Sequence, residues 1–100
     1  MTKQAKSRWA GVVLVCAKCS KKVGRRFGEK EDQSLVKALR RRAGKGRKAA
    51  AGVVEVRCLK LCPRGAVTVV DARRPDEWLV VPPGEPIDAL ADRLGLPPQA

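Results

Sequence analysis

V-V-L-V-C-A-K-C-S-K-K, Val12–Lys22, is the stretch on which the reading of this chain turns. Four aliphatic residues follow one another with no polar alternation, the pattern of a strand covered on both faces. The run ends directly in a cysteine pair two residues apart, and positive charge follows it. A pair so placed has three ordinary meanings: a thiol redox switch, half of a metal site, or two buried thiols.

Downstream, Ser20–Lys30 carries Gly24, Gly28 and several basic residues and reads as a loop. Asp32 and Ser34 are N-cap candidates for a helix from about Ser34 to Ala43, with Leu35, Leu39 and Ala43 on one face. Its last turn holds Arg40, Arg41 and Arg42, which favour the helix dipole, and Gly44 ends it. Three short β-rich runs follow: Val53–Arg57, Ala66–Val70 and Glu77–Val81. The last two form a hairpin turning near Arg74-Pro75-Asp76. Pro86 opens a final helix with Ile87, Leu90, Ala91 and Leu94 on one face.

The expected order is therefore strand, helix, strand, strand, strand, helix (β-α-β-β-β-α). Its first three elements make a βαβ unit with parallel strands, and the hairpin extends the sheet antiparallel. That is an α/β chain with a mixed four-stranded sheet and two helices, of the thioredoxin-like kind. One hundred residues suffice for one such domain. Residues 11–96 form it, 1–10 are a flexible basic lead-in and 97–100 a tail.

Parallel pairing gives the cysteines their meaning. Cys16 directly follows the first strand and Cys58 the second. Parallel neighbours end on the same sheet edge, about 4.8 Å apart if adjacent. Cys19 and Cys62 stand three and four residues further on, in the loops leaving that edge, where parallel sheets ordinarily bind ligands. Pro63 stiffens the chain after Cys62, and Gly65 permits the turn back into the third strand. Four thiolates from two loops fit tetrahedral zinc, with Zn–S near ~2.3 Å. They fit a [2Fe–2S] cluster equally, since its two irons need four thiolates in all.

The segment C-L-K-L-C-P-R-G-A-V-T-V-V, followed by E-W-L-V-V-P-P-G-E-P-I-D-A-L-A-D-R-L, resembles the thioredoxin-like [2Fe–2S] ferredoxins. That family sets its third and fourth ligands in C-x₃-C, then a glycine, then a valine-rich strand. Its first ligand follows an apolar strand, as in V-V-L-V-C. The likeness runs from about Val12 to Leu94, and the C-x₃-C-x₂-G block is its specific part. It implies Cys16, Cys19, Cys58 and Cys62 as ligands of a [2Fe–2S] cluster in a one-electron carrier without catalysis of its own. The alternative is one Zn²⁺ in a binding module whose basic face contacts nucleic acid or an acidic protein.

Charge bears on partners. Lys and Arg number 22 against 10 Asp and Glu, a net charge of +12. The excess lies entirely in residues 1–50, which carry 16 cations against 3 acids, while residues 51–100 carry 6 against 7. Around a cluster, Lys18, Lys21, Lys22, Lys60 and Arg64 would offset thiolate charge and steer an acidic redox partner. Nucleic acid is the less favoured partner. Arg40–Arg42 with Lys45, Arg47 and Lys48, or Lys21, Lys22, Arg25 and Arg26, would meet phosphates, but no aromatics interleave for stacking. The sequence leaves room for a homodimer.

Other classes find less support. Thiol–disulfide exchange wants a helix N-terminus after the pair, and S-K-K-V-G-R-R-F-G is a poor helix start that leaves Cys58 and Cys62 unexplained. Histidine is absent, so Ser-His and Cys-His pairs cannot form. No segment has the length of a transmembrane helix, and the basic start lacks the apolar length of a secretory signal. A cytoplasmic setting, where four cysteines are more often ligands than disulfides, follows.

Overall fold

In the computed structural model, residues 2–27, 30, 32–44, 46–61 and 63–96 are described. Cys62, Lys45 and the expected tail at 97–100 lie outside the described residues. The elements are β1 (Val12–Cys16), α1 (Ala17–Val23), α2 (Leu35–Ala43), a 3₁₀ turn (Gly46–Lys48), β2 (Gly52–Val56), β3 (Val67–Asp71), β4 (Trp78–Val81) and α3 (Ile87–Arg93). The sheet is mixed and four-stranded, in the order β2-β1-β3-β4. β1 and β2 are adjacent and parallel, from Val12 opposite Gly52 to Cys16 opposite Val56. β3 runs antiparallel to both β1 and β4.

The expectation of two helices is corrected by α1. The stretch read as the start of a loop, A-K-C-S-K-K-V, coils directly off β1 and ends at Gly24. Seven residues are too few to show a 3.6 period, and a helix so short is marginal by itself. Packing holds it: Cys19 and Ser20 are buried, and α1 lies against β3. Lys21 and Lys22 in its last turn suit the dipole. α2 starts as the capping signal requires, with the Ser34 hydroxyl accepting from the Lys37 N–H at 3.3 Å. Between these helices Phe27 and Gln33 exchange both backbone hydrogen bonds, and Phe27 is fully buried.

β3 is buried on both faces, but β1 is buried mainly on one, which corrects the expectation of a first strand covered on both faces. Val13, Val15, Val53, Val67, Val69 and Val81 share one face by strand alternation and register, and all are buried. On the opposite face Val12, Leu14, Val54 and Val56 are half-buried, Val70 is buried, and Trp78 and Val80 are exposed. That second face is closed at the end beside α1, where Cys16 and Thr68 are fully buried. Apart from the sheet, α2 packs on β2 and α3.

At the other end of β2 the indole of Trp9 lies flat against Gly52, where a Cβ would stand 2.4 Å from the ring. Trp9 Nε1–H donates to the Gly46 carbonyl at 2.7 Å, and Ala10 N–H to Ala50 at 2.9 Å. The end of the basic lead-in is thereby tied to the entry of β2. Among the described residues no helix is long and apolar enough to cross a membrane.

Candidate metal centre

β1 delivers Cys16 to the sheet edge and α1 begins on the next residue, with Cys16 as its N-cap. Cys19 then stands one turn into the helix. Both thiols are almost sealed from solvent, at 0% and 3% exposure, and neither is in a disulfide. β2 ends opposite Cys16 at Val56, and two residues later Cys58 is exposed and also free. Lys18 N–H donates across this edge to the Arg57 carbonyl at 3.3 Å. Cys62, the fourth expected ligand, lies outside the described residues.

The backbone after Cys58 folds over the first pair. The Leu59 N–H bears on Cys16, where it favours the ionised thiol. The Cys19 Sγ donates to the Leu61 carbonyl at 3.6 Å, and the buried Thr68 hydroxyl donates to the same oxygen at 3.1 Å. Within the loop, Lys60 N–H donates to Cys58 Sγ at 3.3 Å. Lys60 holds a left-handed backbone at φ 63°, the sole non-glycine residue to do so among the described residues. Gly65, at φ 65°, makes the turn into β3 that its position suggested.

These contacts push the two inner thiols apart. Burial drives the Cys16 thiol up, yet the N–H groups of Cys19 and Leu59, then the Cys19 thiol and the Lys18 N–H, outweigh it and lower its pKa overall. Burial also drives the Cys19 thiol up, the neighbouring Cys16 adds to the rise, and hydrogen bonding at Thr68 only partly offsets it.

Among the described residues no three ligating side chains are gathered closely enough to hold a metal ion. The structure brings Cys16 and Cys19 together and lays the chain beyond Cys58 across them. A complete four-thiolate set would require Cys58 and Cys62 in addition. The donor chemistry fits a thiolate-bound group: free cysteines on one edge, with the Lys60 N–H directed at the Cys58 sulfur.

α1 removes the objection that no helix follows the pair, but burial supplies another. A thiol exchanging with a partner must be reached by it, and Cys16 has no exposed surface. Thr68 is the contributor that the sequence reading missed. Its signal is the lone hydroxyl in A-V-T-V-V, a polar residue in a strand whose five positions are all buried.

The basic run after the first helix is partly committed within the fold. Arg40 Nε–H donates to the Val53 carbonyl at 3.1 Å, and Arg42, with an 8% exposed side chain, pairs with Asp88 of α3. Arg41 is exposed. Comparison of the chain with protein-family models, curated proteins and solved structures finds no match.

Proposed function

We propose that this chain is a small [2Fe–2S] protein of the thioredoxin-like ferredoxin kind, passing one electron at a time between protein partners in the cytoplasm. The observation that carries the reading is the crossing of the two cysteine segments: Lys18 N–H meets the Arg57 carbonyl, and Cys19 Sγ meets the Leu61 carbonyl. Cys16, Cys19, Cys58 and Cys62 would be the ligands, and the cluster would supply the one-electron chemistry. The chain's own part is to present thiolates, direct backbone N–H groups at sulfur, and keep water from the inner pair. Catalysis is not part of the proposal.

One Zn²⁺ on the same four thiolates is the second reading. The placement of Cys16 and Cys19 within a single turn favours it, because four-cysteine zinc sites often use such close pairs.

Anaerobic purification followed by a visible spectrum and assays for iron, acid-labile sulfide and zinc decides between them. A red-brown protein with iron and sulfide is expected. A colourless protein with one zinc would overturn the cluster. Cys58→Ser should abolish or markedly weaken metal retention. If it retained metal like the parent while Cys16→Ser did not, the two pairs would not share a site.

A further inference from the structure

Beside Cys19 lies a cleft of about 230 Å³ between α1 and the turn that leads into β3. Its walls include Lys18 and Lys22 from α1 and Pro63, Arg64 and Gly65 from the turn, with Cys19 at its base. All three cations are exposed. The two segments that build this edge are markedly one-signed. Residues 10–27 hold five Lys and Arg, residues 56–66 hold three, and neither holds an Asp or Glu. The three ion pairs among the described residues join Arg42 to Asp88, Arg73 to Asp71 and Arg74 to Glu77, all away from this edge. Leu61 has 41% of its surface exposed, and its carbonyl is held by Thr68 and by Cys19, which lines the cleft.

We propose that this cleft is the docking point for an acidic segment of a partner protein, whose carboxylates meet Lys18, Lys22 and Arg64 while an apolar side chain covers Leu61. The proposal rests on the reading of the cysteine edge as the redox centre only in naming the partner's purpose. An apolar anchor ringed by charge of one sign is the usual anatomy of a protein interface, and it gives register as well as attraction. Nucleic acid would want stacking surfaces among these cations. Instead, Phe27 is fully buried, Trp9 lies on Gly52 and Trp78 on β4.

The test is calorimetric titration of the full chain, in the metal state in which it is isolated, with an oligoglutamate peptide bearing one central leucine. Reversal of Lys18, Lys22 and Arg64 to Glu should weaken binding by roughly tenfold or more. The same reversal at Lys37, Arg41 and Lys48, on and after α2, should change it by less than about twofold, through long-range screening alone. Leu61→Ser should weaken the leucine-bearing peptide and leave plain oligoglutamate unchanged. Equal losses from both triple reversals, or no loss from either, would overturn the proposal. So would tighter binding of oligothymidylate of equal charge or of phosphatidylserine vesicles. Metal content is measured on every variant. Lost binding with retained metal in the Lys18, Lys22 and Arg64 reversal upholds the docking site, unchanged binding with retained metal refutes the docking site alone, and full binding by a parent chain isolated with zinc refutes the cluster alone.

Discussion

Cys16 and Cys58 follow parallel strands to the same edge, yet they live in opposite surroundings. Cys16 and Cys19 are set into the core, where β1 runs without a break into α1 and the helix's buried side closes the sheet. Cys58 stands exposed on a loop whose shape depends on one left-handed lysine and a few hydrogen bonds. If the proposed site is loaded after folding, the loop at Cys58 can yield while Cys16 and Cys19 stay in place. Packing sets Cys16 and Cys19 and local backbone geometry sets Cys58, so substitutions should separate them.

The largest separation should come from paired serine substitutions measured without metal. Cys16→Ser places a hydroxyl at a fully buried position and should cost about 1–3 kcal/mol in urea denaturation. Cys58→Ser, on the surface, should remain within about 0.5 kcal/mol of the parent. Equal costs would break the contrast, since the first pair would then be no more structural than the second.

Thr68→Val probes the join between the halves. It removes the hydroxyl that holds the Leu61 carbonyl at 3.1 Å while keeping the side chain's shape. The expected cost is about 1 kcal/mol, with faster amide exchange at residues 59–61 and unchanged protection in β1. Metal retention should fall as well. Unchanged exchange in the loop would mean that Thr68 supports β3 alone.

The sheet end remote from the cysteines gives an internal reference. Asp71, opposite Val13, has an 8% exposed carboxylate bonded to Arg73 through its backbone N–H at 3.0 Å and its Nη2 at 2.9 Å. The Arg73 guanidinium is the largest cause holding this carboxyl below the usual carboxylate range, against the opposing effect of burial. A lowered folded-state value means that the pair's contribution is fully present above the unfolded value of about 3.9 and is lost as pH falls below it. Asp71→Asn should therefore flatten the acid limb of the stability profile below about pH 4. Its cost at neutral pH is about 1 kcal/mol, modest because Arg73 is half exposed. Metal retention at pH 7 should not change. If it did, the two ends of the sheet would be coupled.

How much of this was legible follows from the same contrast. V-V-L-V-C and V-V-E-V-R-C announce strands that end in thiols, because aliphatic runs bounded by charge have few other readings. Their parallel register follows from the helix between them. α1 was not legible: two turns are too short for periodicity, and the force that makes them helical is the burial of Cys19 and Ser20 against a sheet that sequence reading had not yet built. The exposure of Cys58 against the burial of Cys16 was equally hidden, since both follow a strand in similar words. Arg40 and Arg42 looked like free charges in R-R-R because their partners, the Val53 carbonyl and Asp88, are 13 and 46 residues away.

The smallest effect tests whether the exposed loop stores strain. Lys60 sits at φ 63°, which costs a side-chain-bearing residue about 1–2 kcal/mol. Glycine adopts that backbone freely but gives back roughly 0.5–1 kcal/mol through its greater freedom in the unfolded chain. Lys60→Gly should therefore stabilise the metal-free protein by a few tenths of a kcal/mol, and Lys60→Ala, which keeps the Cβ, should not. The Lys60 N–H that bonds Cys58 Sγ survives in both variants, so metal retention should hold. A gain shared by alanine would assign the effect to the lost charge among neighbouring cations. Destabilisation by glycine would show that the left-handed turn is secured by packing of the lysine stem, and the loop would then be less adaptable than its exposure suggests.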